Sequence, residues 1–275
     1  MATRNQEGKA DMRSELEPKA FEDTWGRLTV DQFKQSPPGS TLTSLLLSIY
    51  KHLYDHFGPQ HWWPAETPFE VIVGAILTQN VSWRNVERAL ANLKERGLLT
   101  PESLAQVPEE ELGELLRPAG YFRGKARKIK AFLAHLFTQH QGQLERLLNQ
   151  PADQLREELL GLWGIGPETA DSIVLYAAGQ PSFVVDAYTL RIFSRLGLLP
   201  AGTRYQEARD FFQKHLPPDG TLFNEYHALL VALGKDYCRK RRPRCNDCPL
   251  QRAGHCRAAQ EGLFATAGSA LVHPD

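Results

Sequence analysis

From Leu42 to about residue 234, apolar side chains return every three or four positions, and no convincing stretch alternates apolar with polar residues. A helix that buries one side needs a repeat near 3.6, whereas a half-buried strand needs a repeat of two, so this patterning commits the chain to an all-α fold. Leu42, Leu45, Leu46, Ile49, Tyr50, Leu53 and Phe57 form one stripe. Thr67 followed by Pro68 is an N-cap with proline at the first helical position, opening a run through Val71, Ile72, Ala75 and Ile76. The next helix runs from Trp83 to Arg96 on Val86, Leu90 and Leu93, with Gly97 as its stop. The same spacing predicts helices over 108–117, 122–138, 151–161, 167–178, 187–196, 204–215 and 221–234. No internal repeat is evident.

The ends of the chain read differently. Residues 1–40 are polar and mixed in charge, finishing in Gln35-Ser36-Pro37-Pro38-Gly39-Ser40, and are expected to be a flexible arm and linker. Trp25, Leu28, Val30 and Phe33 leave open a short docked segment within it. Residues 258–275 read as a second loose tail. The 275 residues suffice for one large domain or two ordinary ones, and 42% hydrophobic with 23% charged residues fits a soluble globular protein. No apolar run approaches the ~18 residues of a membrane span. Met1 to Glu7 lacks the apolar core of a secretory signal. The expectation is a cytoplasmic, monomeric protein with no membrane partner.

Formal net charge is zero, but its distribution is uneven. Positive charge gathers at Arg123, Lys125, Arg127, Lys128 and Lys130, and again from Lys235 to Arg257. Either segment could be a basic face for a polyanion or simply solvated surface. The cysteines are more pointed. All four fall at 238, 245, 248 and 256, whereas a disulfide scaffold would spread them to close long loops. Four thiolates in one short segment can wrap a [4Fe–4S] cluster or a tetrahedral zinc ion, and the spacing leaves both open.

The most informative motif is Leu159-Leu160-Gly161-Leu162-Trp163-Gly164-Ile165-Gly166-Pro167-Glu168-Thr169-Ala170-Asp171-Ser172-Ile173. It reads as a helix, a tight Gly-x-Gly turn and a second helix. Gly164 and Gly166 permit positive φ and close approach of a ligand to the main chain. Pro167 suits the first turn of the following helix, where free N–H groups attract an anion such as a DNA phosphate. Thr169 and Ala170 would pack the hairpin.

This stretch resembles the helix–hairpin–helix of the endonuclease III superfamily, in which an aspartate follows at the start of a later helix. Phe183-Val184-Val185-Asp186-Ala187-Tyr188-Thr189 matches that context, making Asp186 the candidate catalytic carboxylate. An ordinary N-cap is the competing reading, and one residue can serve both purposes. The resemblance covers roughly residues 41–257. It implies a [4Fe–4S] cluster on Cys238, Cys245, Cys248 and Cys256, although the last gap is longer than the family's usual one. It also implies double-stranded DNA with a damaged base as partner. Arg239, Lys240, Arg241, Arg242 and Arg244, between the first two cysteines, are then phosphate contacts, with Gly164, Gly166 and Thr169. The implied architecture is a six-helix domain over 67–185 and a second, cluster-containing domain formed by 41–66 with 186–257.

Enzymes of this superfamily that also cut the backbone use a lysine two residues after the second hairpin glycine, as a Schiff-base nucleophile. Here that residue is Glu168, which cannot form an imine. The expected enzyme is a monofunctional glycosylase: it flips the base out, Asp186 stabilises the oxocarbenium-like sugar, and Glu168 assists in placing water. His61-Trp62-Trp63-Pro64 and Gln79-Asn80-Val81-Ser82-Trp83 resemble segments of the 3-methyladenine glycosylases that hold the flipped base. Trp62, Trp63 and Trp83 would stack on a cationic alkylated purine, each contact worth ~0.5–2 kcal/mol, and Gln79 or Asn80 would wedge into the vacated space. Any of the tryptophans could instead be a core anchor. The rival readings are a bifunctional oxidised-pyrimidine glycosylase, which borohydride would trap on DNA, and an inactive iron–sulfur DNA-binding module. An adenine-mismatch enzyme fits less well, because little chain follows the cysteines.

Overall fold

Local signals in the sequence place most of the helices. In the computed structural model, which describes residues 41–261, they run as α1 (Thr41–Phe57), α2 (Pro68–Leu77), α3 (Trp83–Glu95), α4 (Pro101–Gln106), α5 (Glu109–Leu115), α6 (Phe122–His140) and α7 (Leu144–Leu148). They continue as α8 (Ala152–Leu160), α9 (Pro167–Ser172), α10 (Ala187–Leu196), α11 (Tyr205–His215), α12 (Gly220–Asp236), α13 (Pro249–Arg252) and α14 (Arg257–Gln260). Among the described residues there is no strand, as the patterning predicts. The expected arm at 1–40, with Trp25, Leu28, Val30 and Phe33, and the tail beyond 261 lie outside the described residues. α14 carries helix a few residues into the segment read as tail.

The caps work as the sequence predicts. Thr67 Oγ1 accepts from Glu70 N at 3.1 Å, and Pro68 opens α2 without wasting a donor. Gly97 ends α3 with φ +65°. The short helices α4, α7, α13 and α14 are additions to the predicted set. α4 carries a capping box in which Thr100 and Ser103 bond each other's backbone N–H.

Two clusters of buried side chains hold the body together. The first is built on α2, α3, the α4–α8 helices and the start of the α9 segment, around Ile72, Ile76, Leu90, Leu112, Phe132 and Leu155. The second gathers α1, Phe183–Val185, α10, α11 and α12 around Leu53, Phe193, Phe212 and Tyr226. Within it Phe183 stacks on Phe212 with centroids 4.0 Å apart. Between the clusters, α9 runs straight into one widened π-turn, Ile173–Ala177. Ile173 and Val174 enter the first core and Leu175 the second, so this one segment joins both.

Asp171 bolts the same junction. Its fully buried carboxylate accepts from Arg156 Nε at 2.7 Å, Arg209 Nε at 2.9 Å, Ser182 Oγ at 2.5 Å and Tyr205 Oη at 2.8 Å. A buried carboxylate is tolerated only when its charge and lone pairs are met in this way.

The basic residues of α6 do not all lie on the surface. Lys125 is buried, and its Nζ donates to Leu77 O and Ala119 O, each at 2.8 Å. Lys130 caps Leu104 O and Ala105 O at 3.0 and 2.8 Å. Both lysines close the ends of neighbouring helices, so the segment is not one basic face.

Candidate active site

Asp186 stands where the buried extended run Phe183–Val185 emerges and α10 begins. Its Oδ1 accepts from Thr189 N at 2.7 Å and Thr189 Oγ1 at 3.0 Å, which is the N-cap. Its Oδ2 faces His227 Nε2 at 3.6 Å, beyond hydrogen-bond range. Burial pushes the Asp186 carboxyl up, but His227 and the two Thr189 donors outweigh it and hold the group below its ordinary value. One carboxylate thus divides its oxygens between cap and site.

The hairpin presents Glu168 to that carboxylate. Glu168 keeps contact with solvent, yet the crowding around it, and then the charge of Asp186, push its carboxyl up. Two neighbouring acids are therefore driven in opposite directions, the arrangement by which one stays ionised while the other can hold a proton. Of the two hairpin glycines only Gly164 uses positive φ, at +82°. Gly166 is extended, and a Cβ there would meet nothing within 4 Å, so its part is to leave the turn uncovered. Lys128 lies across Gly164, where a Cβ would come within 2.6 Å of its Cγ. The Arg127 guanidinium sits 4.5 Å over the exposed ring of Trp163.

Gln79 and Asn80 have different surroundings. The Gln79 amide donates to Thr169 Oγ1 at 2.9 Å and Gly164 O at 3.2 Å and accepts from Lys128, so it ties the end of α2 to the hairpin. Asn80 is exposed, with φ +55°.

Trp62, Trp63 and Trp83 form one partly buried aromatic group, with ring centroids 5.1–5.6 Å apart. Trp63 packs against α2, and a Cβ on Gly74 would lie 3.3 Å from its ring. Its other neighbour is Tyr176, at 5.1 Å. Lys235 Nζ lies 6.0 Å over the Trp62 ring.

Two residues join the aromatic group to Asp186 that sequence reasoning passed over. Tyr176 Oη meets His227 Nδ1 at 2.6 Å, and His227 Nε2 then faces Asp186. Among the described residues that Nε2 has no hydrogen-bond partner though it is buried, and the same holds for the indole nitrogens of Trp62 and Trp63. Tyr176 lies on the π-turn, whose extra residue per turn re-aims side chains, a feature found often at functional sites. Neither carries a local motif: His227 falls within the helix predicted over 221–234 and Tyr176 within that predicted over 167–178.

At the other end of α12, the four cysteines line one small cavity with Arg195, Tyr237, Pro243 and Gln251. All four thiols are free of disulfides, and Arg195 Nη1 lies 3.2 Å from Cys238 Sγ. Arg195 and Arg191 also bond the backbone at Arg239 and Cys238, both at 2.8 Å, holding the loop that carries the positive charge. On that loop Arg239, Lys240, Arg241, Arg242 and Arg244 are exposed, and Arg244 stacks over Tyr237.

A helix–hairpin–helix followed by an aspartate that caps a later helix defines a class of DNA base-removing enzyme. A family model described as HhH-GPD superfamily base excision DNA repair protein matches residues 73–218, and the chain belongs to that superfamily of base excision repair glycosylases. A protein of Methanocaldococcus jannaschii named "Putative DNA repair glycosylase" is 48% identical over 75% of this chain and 94% of its own length. Endonuclease III of Thermotoga maritima is 31% identical over 69% of this chain and 82% of its own. Among solved structures, an endonuclease III–DNA covalent intermediate superposes with a TM-score of 0.69 at 26% identity, covering 80% of this chain and 98% of that one. The H. pylori 3-methyladenine DNA glycosylase bound to 1,N6-ethenoadenine gives 0.61 at 26% identity, over 70% and 97%.

Proposed function

We propose that this glycosylase is monofunctional and releases an alkylated purine such as 3-methyladenine, leaving an abasic site. The observation that carries this is the pairing at the site: Asp186 held ionised, with Glu168 raised beside it in the place where a lyase has its amine nucleophile. The ionised Oδ2 of Asp186 stabilises positive charge building on the deoxyribose as the glycosidic bond breaks. Glu168 and His227 orient the attacking water, and Asp186 or Glu168 takes its proton. Tyr176 fixes the His227 ring through their hydrogen bond.

Alkylation supports the same reading from the substrate side. A cationic purine leaves without a strong general acid and gains from stacking on an electron-rich wall. Trp62, Trp63 and Trp83 form that wall, with Trp63 braced against Gly74 of α2. Asn80 is the wedge, and Gln79 acts through the hairpin it secures. Gly164, Gly166 and Thr169 bring the turn to a backbone phosphate, and the 239–244 loop meets another. The two proposed domains, 67–185 and 41–66 with 186–257, would flank the duplex. The two cores support that division, except that Leu175 and Phe183–Val185 belong to the second.

The cysteine site fits a [4Fe–4S] cluster better than zinc. Four thiolates on one zinc stand about 3.8 Å apart, given bonds of about 2.3 Å. Here no three Sγ atoms lie within 4.8 Å of one another. Cys238, Cys245, Cys248 and Cys256 would hold the cluster, whose part is to fix the basic loop.

Base release from methylated duplex DNA, with freed bases identified by chromatography, tests the assignment. 3-Methyladenine is the expected product, Asp186→Asn abolishes release while binding persists, and borohydride traps no enzyme on DNA. Release of oxidised pyrimidines with a trapped adduct would overturn it.

A further inference from the structure

The C-terminal end of α6 carries a side-chain group that base excision does not use. His135 and His140 both direct Nε2 at Oε1 of Glu158 on α8, each at 2.5 Å. The three ligand atoms lie within 4.8 Å of one another. All three side chains are mostly buried, with exposures of 21%, 14% and 21% for His135, His140 and Glu158. We propose that His135, His140 and Glu158 form a binding site for a divalent cation of the zinc class, which clamps the end of α6 to α8.

Convergence of this kind is not what helix geometry supplies by default. Residues five apart on an ideal helix point about 140° away from each other. Here α6 stops at His140 and the chain turns over through left-handed Gln141 and Gly142, with Gly142 N bonding Leu136 O at 3.1 Å. That stop lets the two imidazoles, 5.8 Å apart by centroid, meet over one carboxylate. Two imidazole nitrogens and a carboxylate oxygen make a borderline donor set that suits zinc, with a fourth position left for water. Bonds of about 2.0–2.1 Å put tetrahedral ligands roughly 3.3 Å apart, within the span observed.

The surroundings support the ligands. Gln150 Nε2 donates to Glu158 Oε2 at 2.7 Å, turning Oε1 toward the histidines. Gln150 is itself placed by Gln180, whose Nε2 donates to Gln150 O at 2.7 Å. The clamp joins elements that matter elsewhere: α8 leads into the hairpin, and α6 carries Lys128, which lies across Gly164. A cation here would brace the hairpin from behind without touching DNA.

Titrating Zn(II) into the iron-loaded protein, with iron and zinc counted per chain and thermal unfolding followed, tests the proposal. The expected result is one zinc per chain with iron unchanged and a raised Tm. His135→Gln and His140→Gln should each lose the zinc and its Tm gain while keeping the helical circular dichroism of the parent. Gln150→Ala should weaken zinc about tenfold or more. Equal uptake by the parent and the His135→Gln/His140→Gln pair, uptake at the expense of iron, or no uptake at all would overturn it. The last outcome would leave a plain histidine–glutamate hydrogen-bond clamp.

Discussion

Replacing Asp171 with alanine should be among the most damaging single changes available outside the chemistry. Its carboxylate accepts five hydrogen bonds, two from Arg156 and one each from Arg209, Ser182 and Tyr205. Alanine would leave the Arg209 guanidinium, whose side chain is 8% exposed, with Ser182 and a distant Asp210 carboxylate at 3.8 Å. Arg156, 14% exposed, would keep Gln206 at 3.0 Å as its hydrogen-bond partner among the described residues. Removing one partner of a buried ion pair costs roughly 3–5 kcal/mol, because the partner's charge stays buried. For a protein near this size each kcal/mol moves the Tm by roughly 2–4 °C, so the loss should be about 6–20 °C. Urea and thermal unfolding of parent and Asp171→Ala would measure it. Replacing Asp171, Arg156 and Arg209 together by Leu, Met and Met should recover most of the loss, since an apolar trio carries no stranded charge. A single substitution within 1 kcal/mol of the parent, or a triple variant worse than the single, would refute the reasoning.

Base release should depend on pH through both site acids. Asp186 must be ionised, so activity is present above its lowered pKa and is lost as pH falls through it, below the ordinary aspartate range. Glu168 has a raised pKa and should add a break above the ordinary glutamate range, which Glu168→Gln removes in single-turnover profiles; a break that survives that change argues against the assignment. Replacing Lys240, Arg241 and Arg242 by alanine should lower the slope of log K against log salt by about 0.9 for each phosphate that is no longer neutralised, with no change in base specificity; an unchanged slope means the loop does not touch DNA. Lys125→Met should cost about 1–3 kcal/mol in unfolding measurements, because Leu77 O and Ala119 O lose their buried donor, and a neutral result would show those carbonyls find another partner.

Much of this was legible from residues alone where the signal is local. Thr67-Pro68, the Asp186 cap and the Gly97 stop act through neighbours a few positions away, so sequence spacing predicts them directly. The α4 helix had such a signal as well, in Thr100-Pro101, and its six residues were too short to display a period. His227 and Tyr176 had none. Each sits in a helix whose neighbours are apolar, and its meaning comes from a partner 41 to 51 positions away.

The lysines of α6 make the same point about charge. Composition treats Lys125, Lys128 and Lys130 alike, but one caps two helix ends from inside the core, one lies over the hairpin, and one closes α4. What the amino-acid order determined by itself was the helical class, the hairpin and its family, the capped aspartate and the grouped cysteines, because periods, caps and short motifs are properties of neighbouring residues. Which oxygen of Asp186 faces His227, which tryptophan is braced against Gly74, and how His135, His140 and Glu158 meet were decided only in the folded molecule. Those relations join groups from separate helices, and packing alone sets their distances.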